Sequence, residues 1–153
     1  GIYTELLERL KPRRACIVVP RIDLMEDFQR MYRADAVRVG TGHNGGNQGV
    51  DMDAELYVCV RDSAWRLANI SFDLAIFDEA HHYEPPPAGI DADIADRWMM
   101  GHRGAVLRLQ ARKRFFFSAT LRHHHARPDF SFSLRQAIEA GRVADYDITV
   151  PIV

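Results

Sequence analysis

Phe72-Asp73-Leu74-Ala75-Ile76-Phe77-Asp78-Glu79-Ala80-His81-His82 is the stretch that decides the fold. Leu74 to Phe77 run without a polar break and then meet two acids. A continuous apolar run of this kind reads as a parallel strand covered on both faces, since a strand with one wet face alternates. Carboxylates at the carboxyl end of such a strand lie where open α/β sheets bind ligands. Mg²⁺ is a hard ion that takes oxygen ligands and keeps several waters. One strand-end carboxylate can hold it against phosphates while its neighbour polarises the attacking water. Paired acids also suit a plain solvated strand end, so the pair alone leaves both readings open.

A second apolar run, Phe115-Phe116-Phe117, leads into Ser118-Ala119-Thr120 and predicts a strand over 114–118, again central and covered on both faces. Working outward, Ile2, Leu6, Leu7 and Leu10 share one face of a helix over 3–10 that Lys11-Pro12 stops. Ala15 to Val19 is a β-branched strand bounded by Pro20. Asp23 caps a helix through Tyr32 with Leu24, Phe28 and Met31 on one side. Short strands follow over 36–39 and 55–60, and Asp62 or Ser63 caps a helical turn ending near Ala68. A helix lies within 91–109 with Ile94, Trp98 and Met99 inward, another runs from Leu134 to Ala144, and 148–153 is a strand or an exit. Strands alternating with helices predict an α/β fold with a mostly parallel sheet.

The chain has 153 residues, 47% apolar and 27% charged, which suits one domain with a full core. Its formal net charge of -1 is not that of a strongly basic nucleic-acid binder, so phosphate contacts would need a local patch. Arg112, Lys113 and Arg114 form one small basic run, read as a solvated strand start or a phosphate contact. Cys16 and Cys59 fall inside strand runs and are expected to be buried free thiols. No membrane span is expected. The opening Gly-Ile-Tyr, without Met or a leader, suggests a fragment or a processed product.

The run from Phe72 to His82 resembles motif II, the Walker B motif, of superfamily two DEAD/DEAH-type helicases, especially those of restriction-enzyme subunits. Ser118-Ala119-Thr120-Leu121 resembles motif III, and Val18-Val19-Pro20-Arg21-Ile22-Asp23-Leu24 resembles motif Ia. Tyr57 to Ser63 sits where the family has a strand followed by Thr-x-x-Ser, with Val60 in place of the Thr. Ser133 to Gly141 and Asp145-Tyr146 resemble the exit toward a second motor domain. The resemblance implies a RecA-like P-loop NTPase domain, truncated before its first strand and spanning 1–153. It implies that Asp78 coordinates Mg²⁺ and that Glu79 is the general base for ATP hydrolysis. His81 would couple the nucleotide to motif III, and Ser118 and Thr120 would relay nucleotide state. Pro20, Arg21 and Ser63 would face DNA. ATP and Mg²⁺ are the implied cofactors of the intact parent, DNA its partner, and the cell interior, cytoplasmic, nucleoid or nuclear, its location.

One part of the family pattern is missing. A phosphate loop needs Gly-x-x-x-x-Gly-Lys-Ser/Thr, whose amides cradle the phosphates and whose Lys reaches the outer oxygens. The nearest rival, Gly40-Thr41-Gly42-His43-Asn44-Gly45-Gly46-Asn47, puts Gly46 and Asn47 where Lys and Ser/Thr belong, and it follows motif Ia instead of preceding it. The stretch 40–53 is read as a flexible loop. The resemblance thus implies a phosphate-loop segment before Gly1 and a second motor domain after Val153. A non-catalytic remnant acting as a protein-interaction or split-motor subunit is the alternative. His81-His82 and His123-His124-His125 are read as loop histidines ahead of a zinc site, since zinc needs ligands gathered around one point.

Overall fold

The computed structural model describes residues 2–31, 33–40, 50–83, 89–120 and 128–142. In chain order they form α1 (Ile2–Leu10), β1 (Ala15–Val19), α2 (Ile22–Met31), β2 (Val37–Val39) and β3 (Leu56–Val60). A 3₁₀ segment (Arg61–Leu67), β4 (Ser71–Phe77) and a short 3₁₀ turn (Ala80–His82) follow. Then come α3 (Ala92–Met100), α4 (His102–Leu107), β5 (Gln110–Phe116) and α5 (Leu134–Glu139). The strands make one five-stranded sheet in the order β2-β3-β1-β4-β5. Every pairing in it is parallel.

The apolar runs explain the layering. In β1, Cys16 and Val18 face one side while Ile17 and Val19 face the other, and all are buried. The first side packs Tyr57, Cys59, Ala75 and Phe77 under Ala64 and Leu67 of the 3₁₀ segment and Val106 of α4. The second packs Val58, Val60, Leu74 and Ile76 under Leu7 of α1 and Met25 and Phe28 of α2. A sheet covered on both faces needs apolar residues on both, which is why β1, β3 and the end of β4 do not alternate. The chain leaves β1 through α2 on one face and leaves β4 through α3 and α4 on the other. Neighbouring strands whose exits diverge in this way open a crevice at their carboxyl ends, and here the two strands are β1 and β4.

Several expectations need correction. Phe115 to Phe117 do not belong to a central strand: β5 pairs with β4 alone among the described residues, and Phe116 is 51% exposed. Its run of apolar side chains came from the second half of the strand only. The strand starts earlier, at Gln110, and its exposed Arg112, Lys113 and Arg114 mark an edge, where cations discourage further pairing. The helix expected within 91–109 is two. Asp91 caps α3 by accepting from the Asp93 and Ile94 amides, and the extended backbone of Gly101 separates it from α4. Gly104 lies so close to the Met99 backbone that a side chain would collide with it. No residue of α3 is buried, so Ile94 and Met99 are not inward; the helix packs chiefly on α4.

In α2 the inward residues are Met25 and Phe28, whereas Met31 is exposed and Asp23 lies within the first turn, not at the cap. In α1 only Leu7 is fully buried, and Ile2 and Leu10 are exposed. The 3₁₀ segment begins at Arg61 without a side-chain cap. Helix α5 ends at Glu139, after opening with a capping box between Ser133 and Gln136. The loop 41–49, the prolines 85–87, the histidines 123–125 and residues 143–153 lie outside the described residues. Val50 to Asp53 are described, and the Asp51 carbonyl accepts the Tyr57 hydroxyl at 2.6 Å.

Cys16 and Cys59 are free, wholly buried thiols, and burial pushes both up from the usual thiol range. The thiolate is the reactive form. Both cysteines are therefore expected to resist a disulfide-exchange reagent in the native protein and to react together on unfolding. Rapid labelling of either one without denaturant would contradict this burial.

Candidate functional site

The carboxyl ends of β1, β4 and β5 lie side by side at one end of the sheet. Val18 lies opposite Phe77, and Phe77 opposite Phe116. Asp78 and Ser118 therefore leave the carboxyl ends of neighbouring parallel strands, as the two apolar runs predicted. Three backbone hydrogen bonds fasten the turn after β4. The Asp78 amide donates to the Val18 carbonyl at 2.9 Å, the Phe117 amide to the Phe77 carbonyl at 2.9 Å, and the Ala80 amide to the Phe117 carbonyl at 2.7 Å. To make that turn, Glu79 takes a left-handed conformation with φ 49° and ψ 53°. For a side chain with a Cβ this costs on the order of 1 kcal/mol, and such strain gathers at functional sites.

The side chains converge as well. His81 Nδ1 is 2.9 Å from Ser118 Oγ and 3.3 Å from Glu79 Oε2. Ser118 donates its own proton to the Thr120 carbonyl at 2.6 Å and accepts from the Thr120 amide at 3.2 Å. With that hydroxyl proton committed to Thr120, His81 Nδ1 is the donor to Ser118, and Glu79 Oε2 lies beside the same nitrogen without a hydrogen bond to it. The His81 and His82 rings lie 4.1 Å apart. Burial, then the neighbouring His81, lowers the pKa of His82.

Asp78 is half-buried, and its Oδ1 accepts the Tyr3 hydroxyl at 2.6 Å and the Glu79 amide at 3.0 Å. Oδ2 has no hydrogen-bond partner among the described residues. That arrangement fits a cation taking one protein oxygen, as Mg²⁺ does when phosphates and water complete its shell. No three His, Cys, Asp or Glu side chains gather around one point among the described residues. The buried Tyr83 hydroxyl also has no partner among them, and burial followed by the charge of Asp78 raises its pKa.

Of the remaining sequence candidates, Pro20 and Arg21 follow β1 directly and so lie at the same end of the sheet. Arg21 is exposed and sits 3.3 Å from the exposed Asp23. Ser63 does not join them at the surface. It is 7% exposed, because its 3₁₀ segment turns it under the helical layer, and it offers a nucleic acid little to touch. Tyr3 was not among the candidates. Its position on the Leu7 face of α1 was readable from helical spacing, but its bond to Asp78 spans 75 positions.

No helix among the described residues is long and apolar enough to cross a membrane. No protein-family model and no curated protein matches the chain.

Proposed function

We propose that this chain is part of the first RecA-like domain of a superfamily two, DEAH-type DNA helicase or translocase, and that it contributes the magnesium-and-water half of the ATP site. The phosphate-holding half and the second motor domain would come from elsewhere in the protein or assembly. The observation that carries this reading is the gathering of Asp78, Glu79, His81 and Ser118 just beyond the carboxyl ends of β4 and β5, with His81 Nδ1 2.9 Å from Ser118 Oγ. The four residues were drawn from two motifs 37 positions apart, and the resemblance alone gave no distances.

Bound ATP with Mg²⁺ would supply the transferable phosphoryl group and the positive charge that offsets its oxygens. The chain's own residues would do the rest. Asp78 offers Oδ2 as an oxygen ligand. Glu79 receives the proton of the attacking water, as an adjacent carboxylate can in this chemistry. His81, bonded to Ser118 and 3.3 Å from Glu79 Oε2, sets Glu79 beside the loop that follows β5. Ser118 and Thr120 hold that loop in a tight hydroxyl-to-backbone turn. Phosphate release compared between a protein that joins this segment to a phosphate loop and its Glu79→Gln form tests the reading.

A specific observation also favours a split-motor subunit. The sequence has no Gly-Lys-Ser/Thr loop, and β5 has an unpaired edge among the described residues, beside the strand end that carries Ser118. A strand supplied in trans could occupy that edge.

For DNA, the near-neutral net charge leaves phosphate contact to local cations such as Arg21. Binding is expected to be weak and steeply salt-dependent. Replacing Arg21 with Ala should weaken it and reduce the log–log salt slope by about 1, the signature of one lost phosphate contact. Affinity measured at several salt concentrations decides the matter, and a parent-like slope in the Arg21→Ala protein removes this residue from the strand-binding face.

A further inference from the structure

Asp78 enters the crevice with its two oxygens in unlike surroundings. Oδ1 accepts the Tyr3 phenol at 2.6 Å and the Glu79 amide at 3.0 Å, while Oδ2 has no partner among the described residues. The phenol reaches Asp78 from the first turn of α1. Its ring rests 5.3 Å from that of Phe117, tilted by 58°, and the helix is anchored four residues later by the buried Leu7. A carboxylate oxygen can only accept, so the phenol is the donor in this bond.

We infer that Tyr3 is a positioning residue that makes Asp78 a one-oxygen ligand and thereby favours Mg²⁺ over Ca²⁺, a role that rests on the magnesium reading of Asp78 proposed above. A carboxylate can bind a cation through both oxygens only when both are free. Ca²⁺ takes about six to eight oxygens in loose geometry and often uses a carboxylate bidentately. Mg²⁺ keeps its waters, demands near-octahedral angles and is content with single oxygens from one or two carboxylates. With Oδ1 held by a short phenol bond and a backbone amide, Asp78 suits the second ion. Removing the phenol leaves only the longer amide bond on Oδ1 and lets the carboxylate turn both oxygens toward a larger ion.

The test uses the ¹⁵N-labelled chain titrated with MgCl₂ and with CaCl₂ at constant ionic strength, following the amides of Asp78, Glu79 and Ala80. Both salts are expected to move these amides in the parent, and neither in Asp78→Asn. Tyr3→Phe keeps the ring against Phe117 and removes only the hydroxyl. In it the calcium midpoint is expected to fall relative to the magnesium midpoint by at least about threefold. A purely structural role would move both midpoints together. An unchanged ratio overturns the role of Tyr3 and leaves the Asp78 site standing. No response in the parent, or a response that survives Asp78→Asn, overturns the Asp78 site and the role of Tyr3 with it. The unaltered protein gives a second reading through a ¹³C label on the phenol carbon of tyrosine. Magnesium should leave the Tyr3 signal in place while calcium, competing for Oδ1, shifts it; equal shifts with both ions count against the inference.

Discussion

In a protein that joins this segment to a phosphate loop, Glu79→Gln is expected to lower ATP turnover by about 10²–10⁴-fold, the usual worth of a general base. That corresponds to about 3–5 kcal/mol of transition-state stabilisation. The substitution is selective. Gln keeps the length and an oxygen that can still lie beside His81 Nδ1, 3.3 Å away from the present Oε2. It also keeps the same backbone demand at φ 49°. What it loses is the ability to take a proton. Nucleotide affinity should therefore change little while turnover collapses. In the isolated chain the same comparison should show no difference. Phosphoryl transfer depends on positioning the phosphates, and the sequence holds no Lys-bearing loop to do so. Phosphate release by the isolated chain that vanishes in Glu79→Gln would reveal a phosphate site unlike the family's. Undiminished turnover in the joined protein would remove Glu79 from the role of base.

The parts of this fold that were legible in sequence are those fixed by local pattern. Ala15 to Val19 read as a strand and Leu74 to Phe77 as a strand covered on both faces, and both are buried strands of the sheet. The acids at 78 and 79 had to fall at a strand end, and Ser118 followed a second run of the same kind. What failed depended on neighbours. Phe115 to Phe117 have the same character as Leu74 to Phe77, yet one run is central and the other at an edge among the described residues. Apolar character says that a strand can be covered and not that a neighbour is there to cover it. Ile94 and Met99 have helical spacing, but α3 rests on α4 and leaves them exposed. The Tyr3–Asp78 bond was invisible for another reason. It depends on how α1 lies across the end of the sheet, which no window of sequence encodes.

Phe77→Ala is expected to be the most damaging single truncation near the site, at about 3–5 kcal/mol. Phe77 is 0% exposed. Its ring stacks on Phe116 with centroids 4.6 Å apart and 13° between planes, and meets Tyr83 at 6.3 Å and 66°. Removing it leaves a cavity where β4 meets β5, directly before the residue whose amide bonds the Val18 carbonyl. For a domain of this size a loss of that order is a large share of total stability, about 5–15 kcal/mol. The matching truncation, Phe116→Ala, removes the other ring of the pair from a position already 51% exposed. Its transfer and cavity costs are smaller, and the aromatic contact itself is worth about 0.5–1.5 kcal/mol. Urea denaturation of the three proteins measures both. A Phe77→Ala midpoint well below that of Phe116→Ala is the expected order. Equal losses would mean that Phe116 is as deeply packed as Phe77, and that the edge of β5, unpaired among the described residues, is covered in solution. The same experiment thus reads the state of the edge at which a sixth strand would have to dock.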